Sequence, residues 1–135
     1  MKLLAVDHIT INLLKPAESF RFYGEVLGLT HLRDVDLGDH VLHMYQLPGT
    51  QLELIEYKEA QKAVQAGNTD VGVYRHFAIA TDDLEEARRR CEGAGWGINM
   101  QPSFIPQLGA RVMLIRDPNG VEIEMVEKSG PSAAS

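Results

Sequence analysis

A single cysteine, Cys91, occurs in 135 residues, so no disulfide can form within the chain and the fold must rest on its packed core. That usage points to a reducing compartment, and a cytoplasmic setting is the expectation. Long apolar runs are missing as well: none approaches the roughly 18 to 20 residues of a membrane-spanning helix. The opening Met1-Lys2-Leu3-Leu4-Ala5-Val6-Asp7 is too short, and charged too soon, to read as a secretion signal. Positive charge is scarce, with 13 basic against 19 acidic residues and a formal charge of −6. Nucleic acid and anionic membranes both require a basic face, so neither is expected as a partner. The length suits one domain, or two half-size modules sharing a core.

What is present is a pattern that occurs twice. Over residues 6–13, Ile9, Ile11 and Leu13 alternate with His8, Thr10 and Asn12, the mark of a half-buried strand. Pro16 suits a first helical turn, Phe20, Tyr23 and Leu27 follow at helical spacing, and Gly28 is a natural stop. Extended stretches then run over residues 32–37, 41–47 and 51–57, divided by Gly38-Asp39 and Pro48-Gly49. From Tyr74 the order begins again. His76-Phe77-Ala78-Ile79-Ala80 reads as a strand, and Asp82 with Glu85 has the spacing of a capping box. Leu84, Ala87, Cys91 and Ala94 recur at helical spacing, which makes Cys91 a small core residue rather than a nucleophile. Strands are predicted over residues 98–104, 111–116 and 121–127, with Asp117-Pro118-Asn119-Gly120 forming a type I turn before the last.

The reading is therefore α+β: two tandem βαβββ modules with curved mixed sheets forming a metal-binding trough. Module one covers about residues 5–57 and module two about 74–128, within one domain over residues 1–135. Residues 58–73 connect them, and residues 129–135 form a loose tail. Subtraction supports duplication: His76 lies 68 positions after His8 (76 − 8), and Glu124 lies 71 after Glu53 (124 − 53).

Strand parity places each of these four residues opposite its apolar neighbours. Glu53 stands between Leu52 and Leu54, and Glu124 between Ile123 and Met125. Taken singly, such residues are usually solvated, and Glu122, of the same parity as Glu124, shows how readily one arises. The repetition argues otherwise. Two imidazoles and two carboxylates suit one first-row divalent ion, whereas structural zinc would favour thiolates that Cys91 alone cannot supply. Open positions on such an ion would let it polarise a substrate oxygen and stabilise an enediolate while a carboxylate takes the proton.

The segments Asp7-His8-Ile9-Thr10-Ile11, Phe20-Arg21-Phe22-Tyr23-Gly24-Glu25-Val26-Leu27-Gly28-Leu29, Gln51-Leu52-Glu53-Leu54-Ile55, His76-Phe77-Ala78-Ile79 and Asp117-Pro118-Asn119-Gly120-Val121-Glu122-Ile123-Glu124 resemble the vicinal oxygen chelate superfamily. Within it the chain is most similar to the glyoxalase I (lactoylglutathione lyase) branch. The resemblance implies a homodimer whose metal sites lie between modules of different subunits. It names His8, Glu53, His76 and Glu124 as ligands and Glu124 or Glu53 as the proton carrier. The substrate it implies is an α-hydroxycarbonyl or hemithioacetal, a thiol adduct. The compact chain looks like the nickel- or cobalt-activated type, with zinc, manganese and iron as the other candidates. An extradiol-type dioxygenase using His8, His76, Glu124 and iron is the second reading, although Leu114 stands where a catalytic Tyr belongs. A small-molecule or antibiotic-binding protein of the same fold is the third.

Methylmalonyl-CoA epimerases usually carry Gln at the second ligand position, which here is Glu53. Asn12 and Tyr57 depart from the Arg and Asn common in bacterial glyoxalase I, so the substrate thiol is left open by the resemblance. Arg33, Arg75 and Arg111 are candidate anion-holding substitutes, with solvated edge positions as the plainer reading. His43 is placed at a pocket edge or on the surface, and His31 and His40 in loops or at edges. Met44, Met100, Met113, Trp96 and Phe104 are read as core or interface, with a substrate wall as the alternative.

Overall fold

The computed structural model describes residues 1–67 and 69–128, in two compact units, one of Met1–Ala63 and one beginning at Val64. The tail expected over residues 129–135 lies outside the described residues. The first unit contains β1 (His8–Asn12), α1 (Pro16–Arg21), β2 (His31–Asp36), β3 (His40–Leu47) and β4 (Thr50–Tyr57). Its sheet runs in the order β1-β4-β3-β2, with β1 parallel to β4 and the other neighbours antiparallel. The second unit contains β5 (Phe77–Ala80), α2 (Leu84–Gly93), β6 (Ile98–Ile105), β7 (Ala110–Arg116) and β8 (Glu122–Lys128). Its order, β5-β8-β7-β6, and its single parallel pair, β5 with β8, repeat the first. Both are βαβββ, so the α+β reading of a repeated module holds.

Alternation along the strands builds each core. In β4, Leu52 and Leu54 are fully buried, while Gln51, Glu53 and Ile55 on the other face are only partly covered. The residues opposite Leu52 and Leu54, namely Ile9 and Ile11 on β1 and Tyr45 and His43 on β3, share their face. Phe22 and Tyr23 are wholly buried and Val26 nearly so, whereas Phe20 and Leu27 are only partly covered. The expected stripe of Phe20, Tyr23 and Leu27 is therefore displaced. The cause is a π-helical turn over Phe22–Val26, where Leu27 N–H donates to Phe22 C=O and the extra residue rotates the buried face. Gly28, at φ 72°, ends the helix in the left-handed region as its sequence position predicted.

In the second unit α2 packs on β6, β7 and β8 with Leu84 and Cys91 buried. Its N-cap is Asp83, one residue beyond the expected Asp82: the Asp83 carboxylate accepts from Glu86 N–H at 2.9 Å. Glu85 instead accepts from Arg88 and Arg111. The predicted turn forms as read, with Gly120 N–H donating to Asp117 C=O at 3.1 Å. The buried Asp117 carboxylate also accepts from the backbone N–H of Asn119 and Val121, both at 2.8 Å, which fixes the start of β8. Pro102 sits in edge strand β6, where a missing N–H is tolerated. No helix among the described residues is long and apolar enough to cross a membrane.

Candidate functional site

Each unit joins one of the expected imidazoles to one of the expected carboxylates. In the first, β1 and β4 lie side by side with Thr10 opposite Glu53 and His8 two residues back on the same face. The Thr10 hydroxyl donates to Glu53 Oε1 at 3.2 Å, and Glu53 Oε2 lies 3.9 Å from His8 Nε2. Glu53 is largely enclosed, its side chain 14% exposed, so the hydroxyl bond and the strand pairing hold the carboxylate in one orientation. On its other side His8 Nδ1 lies 2.7 Å from the Asp7 carboxylate. That hydrogen bond raises the His8 pKa above its ordinary value; partial burial opposes it, and the charges of Glu53 and Asp7 add to it.

In the second unit His76 immediately precedes β5, and its Nε2 lies 2.9 Å from Glu124 Oε2 on β8. Its Nδ1 is buried with no hydrogen-bond partner among the described residues, and lies 3.8 Å from Glu122 Oε2. Glu122 corrects the sequence reading. Far from a solvated neighbour of Glu124, it is 8% exposed, ion-paired with Arg75 and in contact with Asn99 Nδ2 at 3.4 Å. Arg75 is thereby engaged, and Arg111 is held by Glu85 at 2.9 Å and Glu127 at 3.9 Å.

The apolar residues beside the two carboxylates match as well. Met44 on β3 is directly opposite Glu53, and Leu114 on β7 directly opposite Glu124. Met44 is buried, as is Met113, while Phe104 stands largely exposed. Each pair thus consists of a nitrogen and an oxygen donor held together above an apolar side chain.

These residues fit a divalent ion by their chemistry. Donors bound to one ion at about 2.1 Å and at right angles stand about 3 Å apart. The 2.9 Å and 3.9 Å separations require little or modest movement to reach that value. Each pair, one imidazole and one carboxylate, offers donors that suit nickel, cobalt, zinc, manganese or iron rather than calcium. His43, which the sequence placed at a pocket edge or on the surface, does neither. It lies on the helix side of the first sheet, 13% exposed, its ring packed edge-on against Phe20 at 4.6 Å. His40 stacks on Tyr57 at 5.1 Å.

A family model described as the Glyoxalase/Bleomycin resistance protein/Dioxygenase superfamily matches residues 5–125. No curated protein matches the chain. Among solved structures, a variant of glyoxalase I from Zea mays is 20% identical, with TM-score 0.78 over 93% of this chain and 45% of that one. The trypanothione-dependent glyoxalase I of Leishmania major is 23% identical, with TM-score 0.69 over 90% of this chain and 84% of that one. An antibiotic-binding protein from Streptomyces sp. CB03234 is 19% identical, with TM-score 0.72 over 96% of this chain and 99% of that one. At these identities the likeness is one of fold.

Proposed function

The chain belongs to the Glyoxalase/Bleomycin resistance protein/Dioxygenase superfamily, and on that basis we propose that it is a divalent-metal-dependent lyase or isomerase of the glyoxalase I type. Its ligands are His8, Glu53, His76 and Glu124, and its substrate is an α-hydroxycarbonyl or a hemithioacetal. A homodimer and a cytoplasmic setting belong to the same proposal. The observation that carries it is the repeated construction: a His at the start of the first strand of one unit, or just before it in the other, beside a Glu on the last strand. In each unit a carboxylate held beside an imidazole on a partly enclosed sheet face is a donor pair that a cation can share.

A bound ion of this kind supplies Lewis acidity, polarising a substrate oxygen and stabilising the negative charge that gathers there. The proton is the protein's task. Glu124 or Glu53 accepts it from the carbon bearing the hydroxyl, and the C–H electron pair moves toward the neighbouring carbonyl. Returning the proton to that adjacent carbon, with the hydroxyl proton passing to the former carbonyl oxygen, completes an isomerisation in which nothing is oxidised overall. Thr10, by donating to Glu53 Oε1, leaves Oε2 as the freer oxygen of that carboxylate. The buried Met44 opposite Glu53 keeps water from one side of it.

The test is turnover of methylglyoxal with glutathione, and with other small thiols, after reconstitution with nickel or cobalt. Metal-dependent isomerisation that falls by at least about a hundredfold in Glu124→Gln is the expected result. No turnover with any thiol adduct removes the lyase assignment. The fold likeness to an antibiotic-binding protein favours one second reading, a carrier that holds a small molecule without transforming it. Ligand binding unchanged by metal removal and by Glu53→Gln would select that reading.

A further inference from the structure

On the opposite face of the first sheet a second polar group has been assembled. β2 and β3 are paired so that Asp34 faces His43 and His31 faces Tyr45, and β3 and β4 so that His43 faces Leu54. Directly opposed residues share a face, so His31, Asp34 and His43 lie on the side of Leu52 and Leu54, away from Glu53 and Met44. Asp34 Oδ1 lies 2.6 Å from His31 Nε2 and 2.8 Å from His43 Nδ1. The second ring nitrogen of His43, Nε2, lies 3.0 Å from Glu56 Oε1. Among the described residues, these three side chains form a group whose nitrogen and oxygen donors all lie within 4.8 Å of one another.

We propose that His31, Asp34 and His43 form a second divalent-cation site, independent of His8 and Glu53, for a first-row ion of the zinc class. First, both ring nitrogens of His43 meet carboxylate oxygens, yet a neutral imidazole carries one N–H. When Nε2–H donates to Glu56, the Nδ1 lone pair confronts Asp34 Oδ1 at 2.8 Å, and a cation between them turns a repulsion into two bonds. Second, that Glu56 contact is the outer support a metal-binding imidazole ordinarily has: it fixes the tautomer and leaves the other nitrogen as ligand. Phe20 against the His43 ring, and Tyr45 at 5.1 Å from the His31 ring, restrict both imidazoles further.

Third, the duplicated unit offers a direct comparison. Met44 faces Glu53 as Leu114 faces Glu124, so the position before each is equivalent: His43 in the first unit, Met113 in the second. Met113 is fully buried. The fold thus accepts an apolar side chain at this place, and the first unit carries an imidazole ringed by carboxylates instead. Packing does not call for it. Two imidazoles and one carboxylate hold a zinc-class ion with one position left for water or an outside ligand.

The full chain carrying Glu53→Gln and Glu124→Gln, which disables the other pairs, is titrated with zinc by calorimetry at neutral pH. One equivalent should bind, with affinity reduced at least tenfold by His31→Ala or Asp34→Asn, both at half-exposed positions that tolerate truncation. His43→Met, the residue of the second unit, should fold as judged by circular dichroism and lose the same binding. Failure of zinc to bind, or binding equal in all three variants, overturns the proposal and leaves a proton-bridged network in its place.

Discussion

The Arg75–Glu122 pair offers a perturbation whose two halves should differ sharply. Glu122 is 8% exposed and Arg75 42%, so removing one partner does not mirror removing the other. In Glu122→Gln the guanidinium left behind can turn to water, and the amide keeps the volume and can still meet Asn99. The loss should stay within about 1 kcal/mol, the range of partly exposed ion pairs. In Arg75→Ala the carboxylate left behind is enclosed, with the Asn99 amide at 3.4 Å and His76 Nδ1 at 3.8 Å. It can escape by taking up a proton. From an ordinary Glu pKa of about 4.3, doing so at pH 7 costs about 2.7 units at about 1.36 kcal/mol each, a ceiling of about 3.7 kcal/mol. At pH 5 the ceiling falls to about 1 kcal/mol. The sign follows from linkage: a carboxyl whose folded pKa is raised costs stability as pH climbs above its unfolded value, because the unfolded chain releases the proton first. Urea denaturation of both variants and the parent at pH 7 and pH 5 measures this. Arg75→Ala should cost about 2 to 3.5 kcal/mol at pH 7 and about 1 or less at pH 5, with Glu122→Gln nearly flat. A cost for Arg75→Ala that is the same at both pH values, or smaller than that for Glu122→Gln, would refute the reasoning.

Two further predictions use other parts of the fold. Burial pushes the Cys91 thiol up to about 11, so the native protein should resist alkylation at pH 8 and react once unfolded. Because that raised value favours the neutral thiol, its share of stability is intact below about pH 9 and declines toward pH 11, a decline that Cys91→Ala should lack in denaturation curves. Asp83→Ala, which removes the N-cap of α2, should lower stability by about 1 kcal/mol in thermal or urea unfolding, whereas Asp82→Ala should change it little.

Strands such as β1 and β4 were legible because period-two alternation survives in them, and the repeat showed that the second half would copy the first. Local ambiguity explains the misses. Asp82-x-x-Glu85 and Asp83-x-x-Glu86 overlap by one residue, and only the helix start seen in the fold chooses between them. The π-helical turn at Phe22–Val26 inserts a residue that a 3.6-residue period does not register. Glu122 could not be told from a surface residue because its partner, Arg75, comes from a distant part of the chain. His43 was different: it shares strand parity with Tyr45 and Leu47, both buried, so its inward direction was already in the sequence. The pairing of His8 with Glu53 and of His76 with Glu124 required knowing which strands are neighbours, and parity alone does not say that.

The central claim is that His8, Glu53, His76 and Glu124 together hold one catalytic ion. It is tested most directly by nickel or cobalt titration of the apoprotein carrying His31→Ala and Asp34→Asn, so that the opposite face cannot contribute. A single equivalent should bind, and adding either Glu53→Gln or His76→Ala should weaken it at least tenfold, because each removes a ligand from a different unit. An affinity left unchanged by both substitutions, or no binding before either is made, would contradict the account.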